Sequence, residues 1–273
     1  MTSSVALKIA AKTDTGLVRT HNEDAITFDV DTNVLVLADG MGGYNAGEVA
    51  SRLATEVVRD ALYVGLSQLN GERPARAAQL HKLMRESVIA ANQHIIETAI
   101  IEPEYSGMGT TLVAALFDHD RLILAHLGDS RCYRFRQGVL AQLTHDHSQV
   151  QEQIDAGLVP PDWARYAPNK NLITRALGVS MLIEVEISDH PVQDGDLYLL
   201  CSDGLSDLLD AEVLTAMLQA DCDDLELLAA ALVQAANQQG GRDNISVILA
   251  HVEACIKQPQ TSPIDRLKNW LSI

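Results

Sequence analysis

The chain is short of basic residues: Lys and Arg total 20 against 37 Asp and Glu, a formal charge of −17 over 273 residues. Such a surface repels nucleic-acid backbones and anionic lipid, which are bound through basic patches that release counterions. No nucleic-acid partner is expected. Cysteine is also scarce. Cys132, Cys201, Cys222 and Cys255 form no C-x-x-C pair and are too irregularly spaced for a zinc site. Cys132 and Cys201 sit in apolar runs, as small core residues of a reduced, intracellular protein do. No stretch approaches the ~18 apolar residues of a membrane span. The opening MTSSVALKIAAKTDTG lacks the apolar core and cleavage pattern of a signal peptide. A cytoplasmic location is the expectation. No internal repeat is visible.

What is present is 47% hydrophobic residues, enough for one large domain or two small ones with a well-buried core. The acid excess serves solubility, or it gathers carboxylates around cations; the motifs must decide between the two.

Apolar alternation predicts a strand over Val5–Lys12, and the continuous run Val34–Ala38 suits a strand buried on both faces. Helical spacing follows from Gly47 to about Leu66 and from about Ala75 to Ala99, with Asn70–Pro74 as the loop between. Strand signals then crowd together at Thr110–Phe117, Leu122–Leu127, Cys132–Phe135 and Val139–Leu143, a spacing that predicts an antiparallel meander. Residues 145–178 are polar and irregular, with a short helix at Gln149–Ala156, and read as a flap. Strands at Ile183–Ile187 and Leu197–Cys201, helices at Leu205–Leu218 and Asp224–Gln239, and a last strand at Ile245–Val252 complete an α+β order with helices covering sheets. The tail differs: after Pro259 and Pro263, residues Ile264, Leu267, Trp270 and Leu271 mark a short amphipathic helix. The expected division is a domain over 1–254 and a tail over 255–273.

Three aspartates share a setting. Asp39 follows Val34–Ala38, Asp203 follows Leu197–Ser202, and Asp243 precedes Ile245–Ala250, each beside glycine or another small residue. One such aspartate alone is an ordinary turn residue. If the three strand ends meet, however, three like charges converge and require a cation. Oxygen-only donors without His or Cys suit a hard ion, Mg²⁺ or Mn²⁺. Arg19–Asp24 packs a cation and two carboxylates into six residues; it reads as a solvated turn or as a guanidinium placed to grip a phosphate oxygen pair. Asp39–Gly43 is glycine-rich but has no P-loop pattern, so a nucleotide reading is poor.

In order along the chain, Arg19–Asp24, Asp39–Gly43, Gly107–Thr111, Gly128–Arg131, Leu143–Ser148, Ile173–Gly178, Ser202–Leu205 and Gly241–Ser246 resemble the metal-dependent protein phosphatase family, the type-2C serine/threonine phosphatases, particularly its bacterial branch. The resemblance spans residues from about 6 to 252. It implies an αββα sandwich, two antiparallel sheets face to face with helix pairs outside. It implies hydrolysis of phosphoserine and phosphothreonine through a metal-bridging water or hydroxide, with no covalent intermediate. By that resemblance Asp39 bridges two ions, the Gly40 carbonyl adds a ligand, Asp203 and Asp243 complete one ion's shell, and Glu23 reaches the other through water. Asp129 with Asp203 resembles the pair that holds a third ion in bacterial members, and Arg19 the arginine that grips the substrate phosphate. Implied partners are phosphorylated proteins, substrates of a serine/threonine kinase, acted on by a monomer. Ser202, Ser206 and Cys201 are not expected to act as nucleophiles.

One position departs from the pattern. Many eukaryotic relatives carry histidine where this chain has Met41, and methionine cannot donate a proton. His21, His145 and His147 are substitutes by sequence proximity only; His145-Asp146-His147 suggests a second metal site by residue type, but its place at the start of the flap favours a structural turn. Two other readings remain: a related fold that binds phosphoproteins without hydrolysis, which would have lost a metal aspartate or the arginine, and a phosphatase of small phosphate esters.

Overall fold

The computed structural model describes residues 5–43, 46–69, 73–160, 163, 167, 172–220 and 224–255. The amphipathic helix expected in the tail lies outside the described residues, as does most of the stretch 161–171 within the expected flap.

Two antiparallel sheets stack face to face. One runs β1(Val5–Asp14), β11(Ile245–Cys255), β10(Leu197–Cys201), β7(Arg131–Arg136) and β8(Val139–Gln142). The other runs β2(Asp24–Asp29), β3(Val34–Met41), β5(Leu112–Asp118), β6(Arg121–Leu127) and β9(Glu186–Pro191), with β4(Gly109–Thr110) paired to the end of β3. Long helices α1(Ala46–Gln68) and α2(Arg73–Ile101) cover the second sheet; α4(Asp203–Ser206), α5(Ala211–Gln219) and α6(Leu225–Gln238) cover the first. The short α3(Gln149–Asp155) begins at Ser148, whose hydroxyl accepts from the Gln151 N–H.

Strand alternation sorts the apolar residues into three layers. On β3, Val34, Val36 and Ala38 pack toward α1 and α2, while Leu35 and Leu37 enter the layer between sheets. On β11, Ile245, Val247 and Leu249 face α6 while Ile248, Ala250 and Val252 face the other sheet. A central strand with helices on one side and a sheet on the other must be apolar on both faces. That is why Val34–Ala38 and Leu197–Cys201 read as unbroken hydrophobic runs.

Several expectations require correction. The four strands after α2 are not one meander: β5–β6 form a hairpin in one sheet and β7–β8 a hairpin in the other, and the chain changes sheets at Gly128-Asp129-Ser130. Gly128 makes the crossing with φ of 107°, in a conformation few L-residues adopt, and a Cβ there would lie 2.6 Å from the Thr111 methyl carbon. The strand expected at Ile183–Ile187 begins later, at Glu186; Ile183 and Val185 fill the helix-side core from a segment outside the sheet. The helix expected over Leu205–Leu218 is two helices, because the Asp210 carboxylate accepts from the Val213 N–H and starts α5 afresh. Helix α2 takes in Arg73 and Pro74, which had been assigned to the loop, with proline tolerated in the first turn. β11 extends to Cys255, paired with Val5, and so includes the first residue assigned to the tail.

Candidate active site

The site forms where the carboxyl-terminal ends of β3 and β10 meet the start of β11. β3 delivers Asp39, the turn after β10 delivers Asp203 at the first position of α4, and the loop before β11 delivers Asp243. All three are partly buried.

Asp39 is held by its main chain. Its N–H donates to the Thr111 hydroxyl (3.0 Å), and its carbonyl accepts from the Thr111 N–H (2.9 Å) and the Thr110 hydroxyl (2.9 Å). The Thr-Thr pair thus fixes β3 where the sheet ends. On the other side Asp39 pairs in register with Asp24 of β2. The Gly40 N–H donates to the Glu23 carbonyl at 3.1 Å. Asn244 ties the loops together: its Nδ2 donates to the carbonyls of Thr15 (3.0 Å) and His21 (2.9 Å), and its Oδ1 accepts from the Glu23 N–H (2.7 Å). Residues over two hundred positions apart are thereby set side by side.

The crowding shifts the titration of these carboxyls. Burial, then the charges of Asp24, Asp203, Asp129 and Asp243, hold the Asp39 carboxyl well above the usual carboxylate range. Burial, then Asp129, Asp207, Asp243 and Asp24, do the same to Asp203. Burial pushes Asp24 up to about 6, although the Ser246 and Ser202 groups pull it down. Burial, then Asp146, pushes Asp129 up to about 7. Glu23 is raised by burial, with Arg19 opposing and Asp243 adding. At the exposed rim, an Arg19 Nη2 donates to Asp243 Oδ2 at 2.8 Å. Burial opposes its charge, but Asp243, Glu23 and Asp39 together hold its pKa above the ordinary arginine value.

All the sequence-predicted residues therefore converge: Arg19, Glu23, Asp39, Gly40, Asp129, Asp203 and Asp243. Sequence reasoning gave no role to Asp24, which is buried against Asp39 with one oxygen accepting from the Ser202 hydroxyl at 2.8 Å, nor to Asp207 or Asn244. The signal for Asp24 was present, since the alternation of Asp24–Asp29 is that of a strand. Of the three histidines considered as proton donors, His21 lies at the edge of the cluster, its carbonyl bonded by Asn244 and its charge acting on Glu23, whereas His145 and His147 are engaged elsewhere. His145 pairs with Asp155 at 2.7 Å, His147 contacts Gly128 and Glu186, and the intervening Asp146 binds Arg131.

The donor set suits hard divalent ions. The donors are oxygen-only, and Asp24 Oδ1 and Asp129 Oδ1 are buried without a hydrogen-bond partner. Carboxylates forced together against their own repulsion are what a multivalent cation relieves. Gly204 packs the two halves of this arrangement against each other. A Cβ there would lie 2.0 Å from the Asn244 carbonyl oxygen, which belongs to main chain and cannot swing away. Gly204→Ala is expected to separate Asp203 from Asp243, weaken Mn²⁺ binding at least tenfold by calorimetric titration, and destabilise the fold by about 1–3 kcal/mol.

Known proteins share this chain's sequence and fold. The protein phosphatase 2C family profile matches residues 18–250. The chain is 39% identical over 261 residues to the serine/threonine protein phosphatase PstP of Mycobacterium tuberculosis, covering 96% of this chain but only 48% of PstP, about half its length. It is 37% identical over 241 residues to the serine/threonine phosphatase stp of Listeria monocytogenes, covering 87% of this chain and 93% of that protein. A solved structure of the PstP catalytic domain in complex with two manganese ions superposes with a TM-score of 0.78 at 40% identity, over 91% of this chain and 99% of that one. The chain belongs to the protein phosphatase 2C family.

Proposed function

We propose that this chain is a metal-dependent phosphatase that hydrolyses phosphoserine and phosphothreonine in proteins. The observation that carries the proposal is the convergence of Asp39, Asp203 and Asp243 from three separate strand ends, with the Arg19 guanidinium at their rim. Asp39, the Gly40 carbonyl, Asp203 and Asp243 would hold two Mn²⁺ or Mg²⁺ ions, Glu23 would act through water, and Asp129 with Asp203 would serve a third. Bound there, such ions polarise phosphoryl oxygens and lower the pKa of water toward neutrality.

The chain's own part is positioning and charge. Asp39 orients its carboxylate from a backbone pinned on both sides, so little reorganisation accompanies binding. Arg19 meets the phosphoryl oxygens with its planar fork and releases or shares Asp243 as it does so. No side-chain nucleophile is called for. The Ser202 hydroxyl bonds Asp24, and Cys201 is fully buried, its thiol pushed up to about 12 by burial.

The family and its named relatives support a protein substrate, one that a serine/threonine kinase would supply. Among the described residues no helix is long and apolar enough to cross a membrane. Cytoplasmic location, a monomeric state and a catalytic unit over 1–254 complete the proposal.

The test is phosphate release from a phosphothreonine peptide and from a sugar phosphate, each with Mn²⁺ and with EDTA. Release from the peptide alone, abolished by EDTA, is the expected result. Turnover of the sugar phosphate alone would replace the reading with a small-ester phosphatase, and no turnover of either would replace it with a non-hydrolytic binding module. Arg19→Lys keeps the charge but loses the fork. It is expected to lower kcat/KM on the peptide by about 10–100-fold (roughly 1.4–2.7 kcal/mol) while leaving thermal stability nearly unchanged, since half-exposed ion pairs contribute ~1 kcal/mol or less.

A further inference from the structure

A second group of metal-type ligands lies outside the aspartate cluster. His126 sits on β6 in line with Leu122 and Leu124, whose side chains fill the layer between the sheets. It is 2% exposed, and neither ring nitrogen meets a partner in good hydrogen-bond geometry, although the Gly128 and Ser130 main chain lies close enough to favour its charged form weakly. A neutral imidazole carries one N–H and one lone pair, and leaving such groups buried and unpaired costs about 1–3 kcal/mol. Burial, then His147, drives its pKa down to about 3, so the ring is neutral and its lone pair available.

Two ligand-type side chains face it. Glu186 is its cross-strand neighbour on β9, and the His147 ring lies nearly parallel at 4.8 Å between centroids. The Gly128 N–H donates to His147 Nδ1 at 3.1 Å, which fixes that nitrogen as the acceptor and puts the ring proton on Nε2. Nε2 in turn faces Glu186 Oε2 at 3.1 Å. One ligand atom from each of the three residues lies within 4.8 Å of the others. Around a tetrahedral ion with bonds near 2.1 Å, ligand atoms stand about 3.4 Å apart, so small rotations of the three side chains close the set. The Glu186 side chain is 41% exposed and leaves a path from solvent.

We propose that His126, His147 and Glu186 bind one divalent transition ion of the zinc class. Two imidazoles and one carboxylate, with a fourth position open to water, suit Zn²⁺ or Co²⁺ better than Mg²⁺. The aspartate cluster has the opposite preference, so the two sites divide ions by ligand type. For His147 to bind an ion through Nε2 as a neutral imidazole, the proton leaves Nε2 and the ring is protonated instead at Nδ1, which gives up the hydrogen bond from the Gly128 N–H. Ion binding therefore acts on the turn that carries Asp129.

The probe is Co²⁺ added to the full chain in millimolar Mg²⁺, followed by visible absorption and by stoichiometry, for wild type, His126→Phe and Glu186→Gln. The wild type is expected to take one more equivalent than His126→Phe, with visible bands of a four-coordinate nitrogen-containing site that His126→Phe lacks. Glu186→Gln should weaken that equivalent at least tenfold. Equal stoichiometry and spectra in wild type and both variants would overturn the proposal and leave all bound cobalt to the aspartates. Should His126→Phe not fold, Glu186→Gln decides alone, because its side chain is partly exposed. Phosphate release reads the other site, so failure of either proposal is recognised separately.

Discussion

Asp39→Asn is expected to reduce phosphate release by at least ~10³-fold, roughly 4 kcal/mol of transition-state stabilisation, while making the metal-free protein more stable. The two effects have one cause. Asp39 is held among Asp24, Asp203, Asp129 and Asp243, and its carboxyl is raised well above the usual range by burial and then by those charges. A carboxyl whose folded pKa exceeds its unfolded value binds its proton more tightly in the native state. Its contribution is therefore unimpaired below the unfolded pKa and is lost as pH rises through the folded one. Asparagine does not ionise and loses nothing over that range. In EDTA, thermal unfolding should show wild type and variant nearly equal at pH 4 and the variant progressively more stable toward pH 8. Added Mn²⁺ should reverse the order, because only the wild type gains a bridging carboxylate for the ions. A variant less stable than wild type at every pH without metal would show that the cluster is not strained as described.

The second large effect lies at the far end of the fold. Asp196, just before β10, has a fully buried side chain that accepts from Arg136 Nε (2.5 Å) and Nη2 (2.6 Å), the Gln193 N–H (2.8 Å) and the Tyr198 hydroxyl (3.0 Å). Removing the carboxylate leaves a guanidinium and two neutral donors without their acceptor in a low-dielectric setting. Breaking a buried pair from one side costs about 3–5 kcal/mol, which in a domain of this size lowers Tm by roughly 6–15 °C. Asp196→Ala should show that drop in a thermal melt and still hydrolyse substrate at low temperature. Asp203 lies beyond the opposite end of β10, so the lesion is remote from the aspartate cluster. A loss below 1 kcal/mol would mean that Arg136 finds solvent when its partner goes.

These two residues also mark what the sequence could and could not say. Asp39, Asp203 and Asp243 were legible because each sits beside a strand apolar on both faces, and such runs announce themselves without knowledge of the fold. The flanking motifs carried the rest through family resemblance. Asp196 was silent: its partner Arg136 is sixty positions away, and nothing local distinguishes it from a turn aspartate. Asp24 was overlooked because Asp24–Asp29 is only six residues long, although its alternation is that of a strand. The change of sheet at Gly128 was likewise invisible, since two hairpins in succession look the same whether they share a sheet or not. The division is decided by packing between layers. At Ile183 and Val185 the apolar pattern misled outright, because those side chains reach the core from outside the sheet. Asp210, by contrast, did carry a local signal: a helix-capping residue within what read as one continuous helix.

The account stands most directly on where the ions bind. Crystals of the full chain grown with Mn²⁺ and measured at the manganese absorption edge should show two anomalous peaks about 3.5–4 Å apart, both within coordination distance of Asp39, with Asp203 and Asp243 on one of them. Manganese absent from Asp39, or bound there as a single ion that Asp203 and Asp243 do not touch, would contradict it.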